Sequence, residues 1–115
     1  MKLTHEFELG GEKVTGRCTF RAINEFEESA GMSISEAWLK LADDKLPFSL
    51  VARAVCAFIN GERLYQGQRP EIFEVVGEKM HKDNFINFVG VAGKFFLLTI
   101  PESDEVKQEE GEKKS

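Results

Sequence analysis

Apolar and polar residues alternate from the start of the chain. Leu3, His5, Phe7 and Leu9 share one side of the alternation, and Val14, Gly16 and Cys18 resume it after Gly10-Gly11. A period of two marks a half-buried strand. Paired glycines tolerate positive φ at both central positions of a two-residue turn. The pattern therefore predicts a β-hairpin ending near Cys18. A bare two-stranded hairpin is marginal in water, so the face carrying Phe7, Leu9 and Val14 should lie against whatever follows.

From Thr19 onward the period becomes helical. Thr19 is placed to cap a helix from about Phe20 to Ala30, with Phe20, Ile23, Phe26 and Ala30 on the inner side and Gly31 at its end. Ser33-Ile34-Ser35-Glu36 reads as a capping box with Met32 as its hydrophobic staple. It opens a short helix to about Ala42 that turns Ile34, Ala37, Trp38 and Leu41 inward. Pro47 suits the first turn of a third helix, whose stripe is Phe48, Val51, Ala54, Val55, Phe58 and Ile59, with Asn60-Gly61 as the expected stop. Gly67-Gln68-Arg69-Pro70 leads into a fourth helix carrying Ile72, Phe73, Val75, Val76 and Met80. Asp83 or Asn84 caps a fifth that runs to about Thr99 and is stopped by Pro101.

The fold class expected is mainly α with a small N-terminal β-hairpin (α+β), the hairpin packed on about five short helices. Residues 1–100 form one globular domain. Residues 101–115 hold six acids, three lysines and almost no apolar side chain, and are expected to be a disordered acidic tail.

The fifth helix carries more apolar surface than one core contact requires. At 100° per residue, Phe85, Phe88, Val89, Ala92 and Phe96 make one broad face. Val91, Phe95 and Leu98 make a second stripe, and Ile86 and Leu97 point elsewhere. A helix apolar on most sides is either central in a bundle or shared with a partner. The second stripe gives the candidate protein-binding residues: Val91, Phe95 and Leu98.

Charge and chemistry narrow the function classes. Fifteen basic and twenty acidic residues give a net charge of -5. With no basic cluster to neutralise phosphates, no nucleic-acid partner is expected. The apolar run from Phe85 to Ile100 falls short of the ~20 residues that span a bilayer and contains Asn87 and Lys94, so no membrane association is expected. Cys18 and Cys56 lie far apart outside any metal-binding spacing and read as buried reduced thiols of a cytoplasmic protein. His5 and His81 lack neighbours that would form a triad or a metal site. Glu25, Glu27 and Glu28 spread over a solvated helix face, and Asp43-Asp44 lacks the ladder of a calcium loop. Gly10-Gly11 precedes a strand and cannot cradle a phosphate, while Gly90 and Gly93 read as a close-packing site. The expectation is a protein that is not an enzyme, with no catalytic, metal or cofactor-binding residues.

The order of features is itself informative. A hairpin leads into Phe20-Arg21-Ala22-Ile23-Asn24-Glu25-Phe26-Glu27, then Gly31-Met32-Ser33-Ile34-Ser35-Glu36. Leu50-Val51-Ala52-Arg53-Ala54-Val55-Cys56-Ala57-Phe58 follows, with Gly61 after it, and a Pro70-led helix continues through Val75-Val76-Gly77-Glu78. Over about residues 3–99 this resembles the small tail assembly chaperones of long-tailed phages and gene transfer agents. The resemblance implies a bacteriophage-type protein of the host cytoplasm that acts in virion assembly. Such chaperones bind the tape measure protein, a long helical client with apolar stripes, keep it soluble during tail assembly, and often form an oligomer, with no cofactor. Val91, Phe95 and Leu98 would then contact the client or a neighbouring subunit. Two other readings fit the same pattern: a small bacterial adaptor or regulatory protein-binding module, and a minor structural tail protein.

Overall fold

The computed structural model describes residues 3–100, so the expected acidic tail at 101–115 lies outside the described residues. The chain runs β1 (Thr4–Leu9), β2 (Glu12–Arg17), α1 (Phe20–Ala30), α2 (Ile34–Ala42), α3 (Phe48–Tyr65), α4 (Phe73–Lys82) and α5 (Ile86–Leu98). The hairpin on five helices is the α+β, mainly α architecture anticipated above.

β1 and β2 pair antiparallel, from Leu9 opposite Glu12 to Thr4 opposite Arg17. Gly10 and Gly11 sit at φ 62° and 82°, which only a residue without Cβ adopts at little cost. The turn is tied down at a distance: the Gly10 N–H donates to the Asp83 carboxylate at 2.8 Å. Asp83 therefore anchors the hairpin, and the start of α5 falls to Asn84, whose Oδ1 accepts from the Ile86 N–H at 3.2 Å.

α1 begins where Thr19 accepts from the Ala22 N–H and ends at Gly31 in the left-handed region. Its inner face is centred on Ala22 and Phe26. Phe20, expected inside, is 83% exposed. It lies six positions, or 120° of helix rotation, from Phe26 and so falls at the edge of the stripe. At α2 the Ser33 hydroxyl accepts from the Glu36 N–H, and the Glu27 carboxylate of α1 accepts from the Ile34 N–H at 2.9 Å. An acid from the neighbouring helix thus satisfies a donor that the N-terminus of α2 would otherwise leave open.

α3 is the axis of the molecule: β2, α1, α4 and α5 all pack on it, and α2 packs on α5 and α1. Asn60-Gly61, expected to end this helix, lies inside it, and the helix continues to Tyr65. Both residues are there for packing. A Cβ on Gly61 would overlap the Arg17 carbonyl oxygen, and a Cβ on Gly16 would overlap the Phe58 ring. β2 and α3 approach so closely that side chains are excluded on both sides of the seam. Asn60, 3% exposed, accepts from the Glu71 N–H at 2.6 Å and donates to the Glu71 carbonyl at 3.2 Å. Its amide thereby pins the connector between α3 and α4 and leaves no buried polar group unpaired.

Candidate protein-binding groove

α5 does not present the stripe expected of it. Phe88, Val91, Ala92, Phe95 and Phe96 are all buried, so the two apolar faces merge into one wide core face. Phe95 is fully enclosed, its ring 5.1 Å from that of Phe58 and edge-on to Phe26 at 6.3 Å. Val91 is 6% exposed, and Leu98 is half-buried against the core. Val91 and Phe95 are therefore not offered to a partner by the folded chain. The physical reason is that α5 is covered from several directions at once, by α3 and α1 on one side and α2 on another. The expected close-packing role of Gly90 and Gly93 is also corrected. Nothing lies within 4 Å of a Cβ built on Gly90, and one on Gly93 makes an ordinary contact with Leu41.

The exposed apolar side chains lie elsewhere. Leu39 of α2 is 67% exposed, Leu97 of α5 50%, and Ile100 49%. They edge two grooves that share Trp38 as a common wall. The larger, about 470 Å³, runs between α1, α2 and the end of α5. α1 contributes Ile23 and Glu27, α2 contributes Ile34, Trp38 and Leu39, and α5 contributes Phe96, Thr99 and Ile100. The smaller, about 360 Å³, lies on the other side of Trp38 and is lined by Leu41, Ala42, Gly90, Gly93, Lys94 and Leu97. Phe20 stands one turn before Ile23 on the same flank of α1, so the larger groove has an exposed aromatic at its approach.

The groove floor is apolar and its one charged lining residue, Glu27, is already engaged at the N-terminus of α2. Such a surface can hold apolar side chains out of water but offers no converging acid, base or nucleophile. Leu39 carried a readable signal, since it is an apolar residue off the inward stripe of its own helix. Ile100, beyond the last helical turn, carried none.

The remaining candidates for chemistry are separated or sealed. Cys18 and Cys56 are buried free thiols. Burial pushes Cys18 up to about 11; burial together with the nearby Glu25 and Glu71 charges pushes Cys56 up to about 12. Neither is a thiolate near neutral pH, so neither is poised as a nucleophile. His5 stacks with Phe7 and Phe58, and His81 meets the edge of Phe48. Among the described residues no three His, Cys, Asp or Glu side chains converge as a metal site, and no helix is long and apolar enough to cross a membrane. No family model, curated protein or solved structure matches the chain.

Proposed function

We propose that this chain is a non-catalytic, phage-type tail assembly chaperone that binds and solubilises the tape measure protein. The client's helix would lay its apolar stripe along the groove between α1, α2 and α5. The observation that carries this reading is the groove itself, apolar within and edged by Leu39, Leu97 and Ile100 in the open. Contiguous exposed apolar surface of this kind marks an interaction site, and an amphipathic helix in a groove is a common way to use it. The order of hairpin and helix features gives the reading its client class. A long helical client with a repeated stripe would hold many copies at once, and each short contact would gain from avidity.

The groove residues replace the stripe first expected to do this work. Leu39→Lys combined with Leu97→Lys alters only exposed positions, so the fold should persist. Co-expression of this variant with a tape measure protein should leave the client insoluble, whereas the unaltered chain keeps it in the supernatant. An equal yield of soluble client with both chains, at matched thermal stability, would reject the assignment of the groove.

A further inference from the structure

We propose that the open edge of β2 is a second binding surface, which takes an extended peptide segment with alternating acidic and apolar residues by strand addition. This surface is separate from the α1–α2–α5 groove and does not depend on the function assigned to it.

The hairpin register fixes which backbone groups are free. Leu9 and Glu12 close a two-residue turn, and the Cys18 N–H donates to the Leu3 carbonyl at 2.8 Å. Hydrogen-bonded pairs in an antiparallel ladder recur every second residue. Glu12, Val14, Gly16 and Cys18 therefore bond inward to β1. The N–H and C=O groups of Lys13, Thr15 and Arg17 point away from it. No described residue bonds to the backbone of Lys13 or Thr15. At Arg17 the edge is closed, because its carbonyl is packed against Gly61 of α3.

This edge opens onto a cleft of about 330 Å³. Glu12 to Thr15 form one wall; the end of α3, the connector and α4 form the other. Leu9, Val14, Ile59 and Val76 supply apolar floor. Unpaired strand edges are ready templates for another chain, and here the template borders a space with a greasy base.

Alternation then selects the occupant. A residue of the added strand that bonds to Lys13 or Thr15 carries its side chain on the same outer face as theirs, beside Lys13 and Arg17. The next residue turns inward onto the floor. Inward positions therefore want apolar side chains and outward positions want acids. The charges of the cleft agree. Glu62 is held by Arg17 at 2.7 Å and Glu71 faces Arg63 at 3.7 Å. Lys79, on the far wall, makes no ion pair among the described residues, and Lys13 reaches Glu6 only at 4.0 Å. Two lysines against one unengaged acid, Glu12, leave the cleft short of negative charge. A second copy of β2 is a poor occupant, since Lys13 and Arg17 would meet Lys13 and Arg17.

The test uses the full chain and a fluorescein-labelled pentapeptide alternating glutamate and valine, read by fluorescence anisotropy. The glutamate–valine peptide should bind, and a lysine–valine peptide should not. Lys79→Glu, an exposed change whose fold is checked by circular dichroism, should weaken binding about tenfold. N-methylation separates strand addition from simple charge attraction. Methylating the amide of the central glutamate, which faces β2, should abolish binding, whereas methylating a valine amide should leave it unchanged. Equal loss from both methylations, or equal binding of the lysine peptide, would overturn the proposal. Tighter binding of a peptide with the sequence of residues 102–112 would overturn the choice of an external partner and make the chain's own acidic segment the occupant.

Discussion

The two flanks of α5 carry similar side chains and meet opposite fates. On the flank facing α3, Phe88, Val91, Phe95 and Phe96 are sealed among Phe26 and Phe58. On the flank facing away, Ile86 is 72% and Leu97 50% exposed. Hydrophobicity does not distinguish them. What distinguishes them is how close the neighbouring backbone can come. Beneath the sealed flank the hairpin sits directly on α3, because Gly16 and Gly61 remove two side chains from the seam. Phe58 is thereby drawn between β2 and α5, its ring stacked on Phe7 at 6.2 Å on one side and beside Phe95 on the other. Along the open flank, Gly90 has empty space where a Cβ would go. No element arrives to cover it, and a groove remains.

The sharpest way to break this contrast is to treat both flanks as surface. Phe95→Ala should cost about 3–5 kcal/mol of unfolding free energy in urea, because it empties a fully enclosed aromatic site. A loss under 1 kcal/mol would return Phe95 to the partner-facing role first expected of it. Gly61→Ala should come next, at about 1–3 kcal/mol, since the added methyl must push β2 off α3. A neutral Gly61→Ala would mean that the close approach of the two elements is not what seals the inner flank.

These two positions also show what could be read from the sequence and what could not. Element type and order were legible from period and capping: Thr19, Gly31 and Ser33 do locally what their residue types suggest. The groove was legible only in part. Trp38 and Ile34 follow from the helix period, but their openness to solvent depends on which elements stop short of them. Asn60-Gly61 misleads for a related reason. Locally the pair signals a helix end, yet its roles, a side-chain clasp on Glu71 and clearance for Arg17, are defined by partners eleven and forty-four positions away. Val91 and Phe95 were placed outside because a helical wheel counts apolar faces without knowing how many neighbours will arrive.

The thiols extend the contrast to pH. Cys18 and Cys56 lie in the sealed region with ionisation pushed up from 9.0 to about 11 and about 12. In the unfolded chain they lose their protons near the usual thiol value; in the folded chain they keep them. The unfolded state then binds fewer protons, so stability is unaffected below about pH 9 and falls as pH rises through the window from 9 to 11. Each thiol should contribute a slope of at most about 1.4 kcal/mol per pH unit in that window. Urea unfolding at pH 8 and pH 10 should show a drop that shrinks in a Cys18→Ala, Cys56→Ala chain. An unchanged drop would assign the effect to other groups and mean that the seam admits solvent.

The smallest expected effect carries most of the functional weight. Leu39→Lys and Leu97→Lys should each shift stability by no more than about 0.5 kcal/mol, since each side chain already stands largely in water. Leu39 edges the larger groove and Leu97 the smaller, with Trp38 between them. A helix lying across this face would meet both, so the losses of client binding should combine while the stability changes stay small. If Leu39→Lys alone removed binding and Leu97→Lys did nothing, the contact would be confined to the larger groove. If either change destabilised the free chain by more than about 2 kcal/mol, that side chain would already be covered in solution, most simply by a second copy. The open flank of α5 would then be an interface between subunits and not a seat for the client.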